Sequence, residues 1–277
     1  MFLEIIRDKN NIIIKNPECL NLNFTLDCGQ AFRWIKYNEN IWSGVVKNKY
    51  LKLQQLENND IIFYNTTEYD FDLVWKEYFD LDRDYVSVLN SYNDETLVSA
   101  CEMYKGIRIL KQDEWEAICS FIISANNNIP RIKGIIERLC ENFGEKLGER
   151  YSFPTAEKLA CLNINDLDVL RAGFRNKYIL DAAKKISTKE VDIEKIRTLD
   201  FDSAKNELLK ISGVGEKVAQ CALLYGFGRI EAFPQDVWVK RIVSELYPNG
   251  LPDCIKGTEG IAQQYLFHWR RNLDKKM

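Results

Sequence analysis

The sequence predicts an α+β protein: an antiparallel sheet domain over residues 1–95, then an all-helical domain over 96–277. Two patterns carry that prediction. From Ile12 to Tyr64 apolar residues recur mostly with period two, as in Leu20-Asn-Leu-Asn-Phe-Thr-Leu26 and Leu51-Lys-Leu-Gln54, and β-branched and aromatic residues are enriched, which is the pattern of half-buried strands. After Asp70 the spacing changes to three and four. Phe71–Tyr78, Glu114–Ala125, Ile132–Phe143 and Ala156–Leu162 read as helices, punctuated by turn signals at 142–144, Pro154, 212–215, Pro234 and 248–252. No solenoid-type repeat and no flexible linker stands out.

The composition, 46% hydrophobic and 12% aromatic over 277 residues, suffices for a large core. A net charge of -3 argues against a chain that coats nucleic acid by bulk positive charge, but the charge is uneven. Residues 1–95 carry 10 Lys+Arg against 16 Asp+Glu, whereas residues 96–277 carry 28 against 25, so an anion-binding face is expected in the later part. The eight cysteines contain no Cys-x-x-Cys pair and read as reduced intracellular thiols. His268 is the only histidine, which removes His-based triads and most metal-ligand schemes. With no apolar run near the ~20 residues that span a bilayer, no membrane association is expected, and the expected location is cytoplasmic, with the nucleoid if the source is prokaryotic.

The stretch richest in chemistry is Leu209-Lys-Ile-Ser-Gly-Val-Gly-Glu-Lys217-Val-Ala-Gln-Cys221. Two glycines around one apolar residue, between two apolar-periodic segments, predict a tight helix-to-helix turn, since glycine takes the positive φ that ends a helix. The amides of Gly213, Val214 and Gly215 would open the second helix, where free N–H groups and the helix dipole suit a phosphate. Lys217 falls in the first turn of that helix, on one face with Cys221. From the residues alone it is a solvated or phosphate-binding lysine, or a nucleophile if its amine is neutral. Val218, Ala219, Ala222 and Leu223 make the helix largely buried.

Asp236, after Pro234 and before the apolar-periodic Val237-Trp-Val-Lys-Arg-Ile-Val-Ser-Glu-Leu246, reads first as a helix N-cap. A second role is compatible with the first: a fixed carboxylate can accept a proton or stabilise positive charge on a sugar.

The hairpin Ile211–Lys217, the Phe233-Pro-Gln-Asp236 element nineteen positions after the lysine, and the β-then-α layout together resemble the helix-hairpin-helix-GPD DNA glycosylase superfamily. Further blocks are similar to its 8-oxoguanine DNA glycosylase/AP lyase branch: Cys28-Gly-Gln-Ala-Phe-Arg-Trp34, Trp42-Ser-Gly-Val45, Ser120-Phe-Ile-Ile-Ser-Ala-Asn-Asn-Asn-Ile129, Arg138-Leu-Cys140 and Gly173-Phe-Arg175. The matches run in order from about residue 28 to 267. The hairpin alone would be weak, because non-catalytic DNA clamps carry it too.

The resemblance implies a TATA-binding-protein-like sheet domain, then a glycosylase domain of two helical subdomains flanking an active-site cleft. It implies excision of 8-oxoguanine, preferably opposite cytosine, followed by β-elimination at the abasic site. Lys217 matches the nucleophile and Asp236 the essential carboxylate. Since the base must leave the duplex to be reached, Gly29 matches the residue whose carbonyl accepts the N7–H that 8-oxoguanine has and guanine lacks. Cys221 and Phe267 match the two sides of a sandwich around the flipped base, and Gln263 the reader of its Watson–Crick edge. Asn126, Arg131 and Arg175 match the groups that fill the gap and read the orphaned cytosine, with Phe174 as an aromatic wedge. Without the resemblance, Gly29 reads as a turn or bulge glycine, Phe267 as core, and Arg131 and Arg175 as exposed charges.

Three positions depart from the family pattern. Ser212 stands for the usual hairpin proline, Gln235 for a common valine, and Trp238 for a histidine that contacts a phosphate. The closely spaced C-terminal cysteines of iron–sulfur relatives are missing, so no cluster is expected; a monovalent cation at the hairpin is the one inorganic partner implied. The expected partner is double-stranded DNA containing 8-oxoguanine, bound by a monomer. Two rivals stay open: an alkylated-purine glycosylase of the same superfamily, against which Lys217 argues, and a non-catalytic helix-hairpin-helix DNA-binding protein.

Overall fold

The computed structural model describes residues 3–273. The strands are β1 (Ile5–Asp8), β2 (Asn11–Ile14), β3 (Ile35–Lys36), β4 (Ile41–Val46), β5 (Lys49–Gln55) and β6 (Ile61–Tyr64), hydrogen-bonded in the order β1-β2-β6-β5-β4-β3. The registers Ile12↔Phe63 and Ile14↔Ile61, continued by Leu53↔Phe63 and Gln55↔Ile61, are antiparallel and place alternate side chains on one face. That face is the buried one: Ile12, Ile14, Leu51, Leu53, Ile61 and Phe63 are all inside.

The chain forms two compact units. One gathers the described parts of residues 1–44, 51–111 and 230–277; the other consists of residues 45–50 and 112–229. In the first, the buried sheet face meets an aromatic cluster. Phe63 packs edge-on against Phe71 (5.3 Å) and Phe79 (5.7 Å), and the Trp34 indole N–H donates to the Tyr78 hydroxyl at 2.7 Å. Such edge-to-face pairs each add about 0.5–1.5 kcal/mol beyond area burial. Phe71–Trp75 forms one wide π-helical turn between the short helices Glu68–Asp70 and Lys76–Tyr78. The helices Glu95–Met103, Val237–Leu246 and Glu259–Leu273 complete this unit, so described residues from position 230 onward join those of the sheet in one unit.

One expected strand is a helix. Residues Leu22–Leu26 are helical because Asn21 caps them, its side chain accepting from the Phe24 amide, and the buried set is Leu22, Thr25 and Leu26. Spacing of three and four, not two, decides which side chains go inside; the alternating Leu and Asn residues disguised it.

Over residues 112–229 the second unit is helical apart from the short strand pair Lys146–Leu147 and Arg150–Tyr151; its residues 45–50 are the β4–β5 turn with the adjoining strand ends. Its centre is the helix Glu114–Ser124, in which every residue from Trp115 to Ile123 is buried. Around it lie Ile129–Phe143, Arg175–Ser187, Phe201–Leu209 and Glu216–Tyr225. Polar side chains at helix starts accept orphan amides: Asp113 from Glu116, Asn128 from Arg131, Thr155 from Lys158 and Asp200 from Ser203. Each such cap contributes about 1 kcal/mol.

All eight cysteines are free thiols; six are buried, Cys254 is half-buried and Cys161 is exposed. No described helix is long and apolar enough to cross a membrane.

Candidate active site

In the helical unit, Phe201–Leu209 runs into the expected turn and Glu216–Tyr225 leaves it. Gly213 has φ +81°, and the Val214 amide donates to the Ile211 carbonyl at 3.0 Å. A side chain at Gly213 would collide with the Tyr178 ring, whose Cγ lies 2.4 Å from the position of a Cβ. Glycine is therefore required twice here, by conformation and by space. Gly215 is the N-cap and carries no side-chain cap, leaving the amides of the first helical turn to face outward, a ready anion site.

The serine that stands for the hairpin proline brings an additional amide, and that donor is used. Ser212 N–H donates to Asp181 Oδ2 at 2.7 Å, while Lys185 bridges Asp181 (3.5 Å) and the Lys210 carbonyl (2.6 Å). The departure from proline is thus compensated by a side chain from the neighbouring helix.

Lys217 is half-buried on the first turn. Its Nζ stands 3.5 Å from Ser124 Oγ and 5.4 Å from the centroid of the Phe121 ring, which stacks on Tyr225 at 5.2 Å. The amine thus sits over an aromatic face with one weak hydroxyl neighbour, and no carboxylate among the described residues is paired with it. Cys221, one turn along, is buried at 3% exposure.

Asn126 lies in an exposed turn at φ +50°, and Asn128 caps the helix carrying exposed Arg131. Arg175 is not the exposed charge that the residues alone suggest. It is buried, and its guanidinium donates to the carbonyls of Ala125 (2.7 Å), Asn126 (2.9 Å) and Ala172 (3.3 Å). Burial first, then the Arg131 charge, lower its pKa. Its neighbour Phe174 is 56% exposed, flanked by the Arg175 guanidinium at 4.5 Å and by Tyr178 edge-on at 6.0 Å. An apolar ring held open to solvent on a braced loop suits insertion between bases.

The sheet-containing unit carries the other candidates. Gly29 is half-buried, with φ +86°, in a loop between the buried Cys28 and Gln30. Asp236 is the N-cap of Val237–Leu246, and both cap bonds, from the amides of Trp238 (3.0 Å) and Val239 (2.9 Å), reach Oδ1. Oδ2 is not needed by the cap. Trp238, in place of the family's histidine, stacks with the Arg241 guanidinium at 5.4 Å.

Gln263 and Phe267 lie one turn apart on Glu259–Leu273. Phe267 is half-buried. Gln263 is 5% exposed, yet its Oε1 is buried with no hydrogen-bond partner among the described residues. An unpaired buried carbonyl oxygen costs about 1–3 kcal/mol, so such an atom marks a place built to accept a donor from outside the fold.

Sequence reading missed the residues that hold these groups: Gln30, Ser124, Tyr178, Asp181 and Gln264. Only Gln30 had a visible signal, its position beside Gly29. No group of three or more His, Cys, Asp or Glu side chains among the described residues could hold a metal ion.

A glycine hairpin with an uncapped outgoing helix, a lysine on that helix and an aspartate capping a later one define a DNA-repair class, and the model of HhH-GPD superfamily base excision DNA repair proteins matches residues 119–253. The N-terminal domain model of 8-oxoguanine DNA glycosylase matches residues 12–118, and the chain belongs to that family. An N-glycosylase/DNA lyase of Saccharomyces cerevisiae is 33% identical over 84% of this chain and 69% of its own length. A probable N-glycosylase/DNA lyase of Methanothermobacter thermautotrophicus is 34% identical, the match spanning 62% of each protein, so somewhat under two thirds of that relative is represented. The solved 8-oxoguanine glycosylase/lyase of Clostridium acetobutylicum superposes with a TM-score of 0.91 at 37% identity, covering 97% of this chain and all of that one. The sheet domain followed by a helical domain is the architecture of this family.

Proposed function

We propose that this protein flips 8-oxoguanine out of duplex DNA, excises it and cleaves the strand at the abasic site. The observation that carries the base assignment is Gln263 Oε1, buried and unpaired, next to the half-buried ring of Phe267 on the same helix. Guanine-type bases present N–H donors on the Watson–Crick edge, and that oxygen is an acceptor. In the proposal Phe267 and Cys221 stack on the two faces of the base, and the Gly29 carbonyl takes the N7–H. Guanine would set an acceptor against an acceptor there, which costs about 1–3 kcal/mol.

In the chemical step the nitrogen lone pair of Lys217 attacks C1′. The C1′–N9 bond breaks and the base departs with its electron pair, taking up the proton that the attacking nitrogen gives up; the C1′–O4′ bond then breaks, O4′ takes the nitrogen's remaining proton, and the C1′=N bond of an imine forms. Removal of a C2′ proton then breaks the C3′–O bond, expelling the 3′ phosphate and nicking the strand. Asp236 stabilises the positive charge that develops on the sugar as the base leaves. The amides of Gly213 and Gly215 hold the strand, the expected third amide, that of Val214, being spent on the Ile211 carbonyl; Phe174 wedges the step, and Asn126, Arg131 and Arg175 face the orphaned cytosine. Arg175 also clasps the Asn126 loop, and that clasp fixes where the cytosine readers stand. The Clostridium relative has been solved on double-stranded DNA with cytosine opposite 8-oxoguanine, which supports this choice of opposite base. The proposal also places a domain boundary near residue 95 and a monovalent cation at the hairpin; no step depends on the cation.

Borohydride trapping tests the reading. On duplexes with 8-oxoguanine opposite each of the four bases, the wild-type protein should cross-link most with cytosine opposite, and Lys217→Gln should lose the cross-link by a factor on the order of 10³ or more. A robust cross-link in Lys217→Gln would remove the assigned nucleophile.

A further inference from the structure

Glycine at position 29 creates a difficulty that the fold solves. The residue that gives a backbone carbonyl close access to a base is also the least constrained in φ and ψ. A carbonyl that reads one N–H must point at it, because a hydrogen bond weakens steeply as its angle falls below about 120°. The direction of the Gly29 carbonyl is fixed by the two peptide planes on either side of the glycine.

The plane after it is held through Gln30, which is fully buried. Gln30 Nε2 donates to the carbonyls of Arg108 (2.7 Å) and Thr25 (2.9 Å), and its Oε1 accepts from the Leu110 amide (2.9 Å). The plane before it ends in the Cys28 carbonyl, and Gln264 Nε2 donates to that oxygen at 3.1 Å with both residues buried. The Cys28 thiol, pushed up to a pKa of about 12 by burial, stays protonated and donates to the Thr25 carbonyl at 3.3 Å. Only Gly29 itself is left free between two side-chain clamps.

We infer that Gln264 is a specificity-determining positioning residue: by holding the Cys28 carbonyl it aims the Gly29 carbonyl at the base. The inference rests on the reading of Gly29 given above. Its placement has a further consequence, since Gln264 follows Gln263 directly and precedes Phe267 by three positions on one helix. The helix that would grip the base also sets the angle at which the loop tests it, so the two halves of the base pocket are adjusted as one piece.

The test compares two single-turnover rates, base excision from an 8-oxoguanine·cytosine duplex and strand cleavage at a preformed abasic site, which has no base to read. Gln264→Met keeps the length and removes the donor. The ratio of excision to abasic-site cleavage should fall roughly 10-fold to 100-fold, the scale of one lost buried hydrogen bond. Gln264→Glu, equal in size and able to donate only when protonated, should show the same low ratio at pH 8 and recover part of it, relative to wild type, as the pH drops toward 5.5. Thermal melting of both variants guards against unfolding. A ratio unchanged in both variants overturns the inference, and so does an equal fall in both activities, which is what a purely structural glutamine would give. Failure of the underlying reading is visible separately: a wild-type protein that excises guanine as readily as 8-oxoguanine would remove the role of Gly29 before any Gln264 variant is made.

Discussion

Two glycines with nearly the same backbone geometry sit in opposite surroundings. Gly29 (φ +86°) and Gly213 (φ +81°) both occupy the left-handed region. Around Gly29 the neighbouring side chains are buried and committed to hydrogen bonds: Gln30 spends both ends of its amide, Cys28 its thiol, and Gln264 reaches in from a distant helix. Around Gly213 the turn is open to solvent, and it is held by one side-chain anchor, Asp181 on the Ser212 amide, and by the Tyr178 ring packed beneath. The proposed tasks differ in the same sense. Reading one proton on one base demands a fixed direction, whereas gripping any phosphate demands only exposed donors, which tolerate small displacements.

The sharpest way to break this comparison is to remove the chemistry while leaving the scaffold. Asparagine caps a helix about as well as aspartate, so Asp236→Asn should melt within ~1 °C of wild type yet lose excision by roughly 10²–10⁴-fold, the range of a lost electrostatic contributor. Asp236→Ala should lose the activity and, in addition, about 1 kcal/mol of stability in a denaturant titration. A protein in which Asp236→Asn keeps full excision would be a clamp, with the aspartate a cap and nothing more.

Next in size is the exchange of each glycine for alanine. Gly29→Ala carries about 1–2 kcal/mol of left-handed strain and should erode the preference for 8-oxoguanine over guanine while leaving affinity for undamaged duplex nearly intact. Gly213→Ala adds a collision with the Tyr178 ring and should cost about 1–3 kcal/mol more. It should weaken binding to all duplexes alike, with a shallower salt dependence, read by fluorescence anisotropy across a salt series. If both variants change selectivity alike, the division of labour between the two loops is wrong.

The smallest expected effect sharpens the hairpin side. Asp181→Ala leaves the Ser212 amide without its anchor and should reduce abasic-site cleavage only a few-fold, about 0.5–1.5 kcal/mol. Ser212→Pro in that background removes the donor and should recover most of the loss in the same cleavage assay.

Much of this was legible in the residues. The change of period after Asp70 separates sheet from helices because strands and helices expose different spacings to the core. The hairpin glycines, the Asp236 cap and the face shared by Gln263 and Phe267 follow from local rules. Leu22–Leu26 was not legible, since Asn21 and Asn23 made a short capped helix look like an alternating strand. Arg175 was misread as exposed when taken alone, because the Ala125 and Asn126 carbonyls that receive it come from fifty residues earlier. Gln264 carried no signal either. Its partner lies 236 residues away in sequence, and no local pattern reports a bond of that kind.

The distribution of the thiols has a practical consequence. Six of the eight cysteines are buried and Cys254 is only partly accessible, so Cys161, at the end of the short helix Ala156–Ala160, is the single fully open sulfur. A maleimide dye added to the native protein will therefore go first to one known place in the helical unit, and replacing Cys254 alone would make the chain a one-colour reporter without touching its interior.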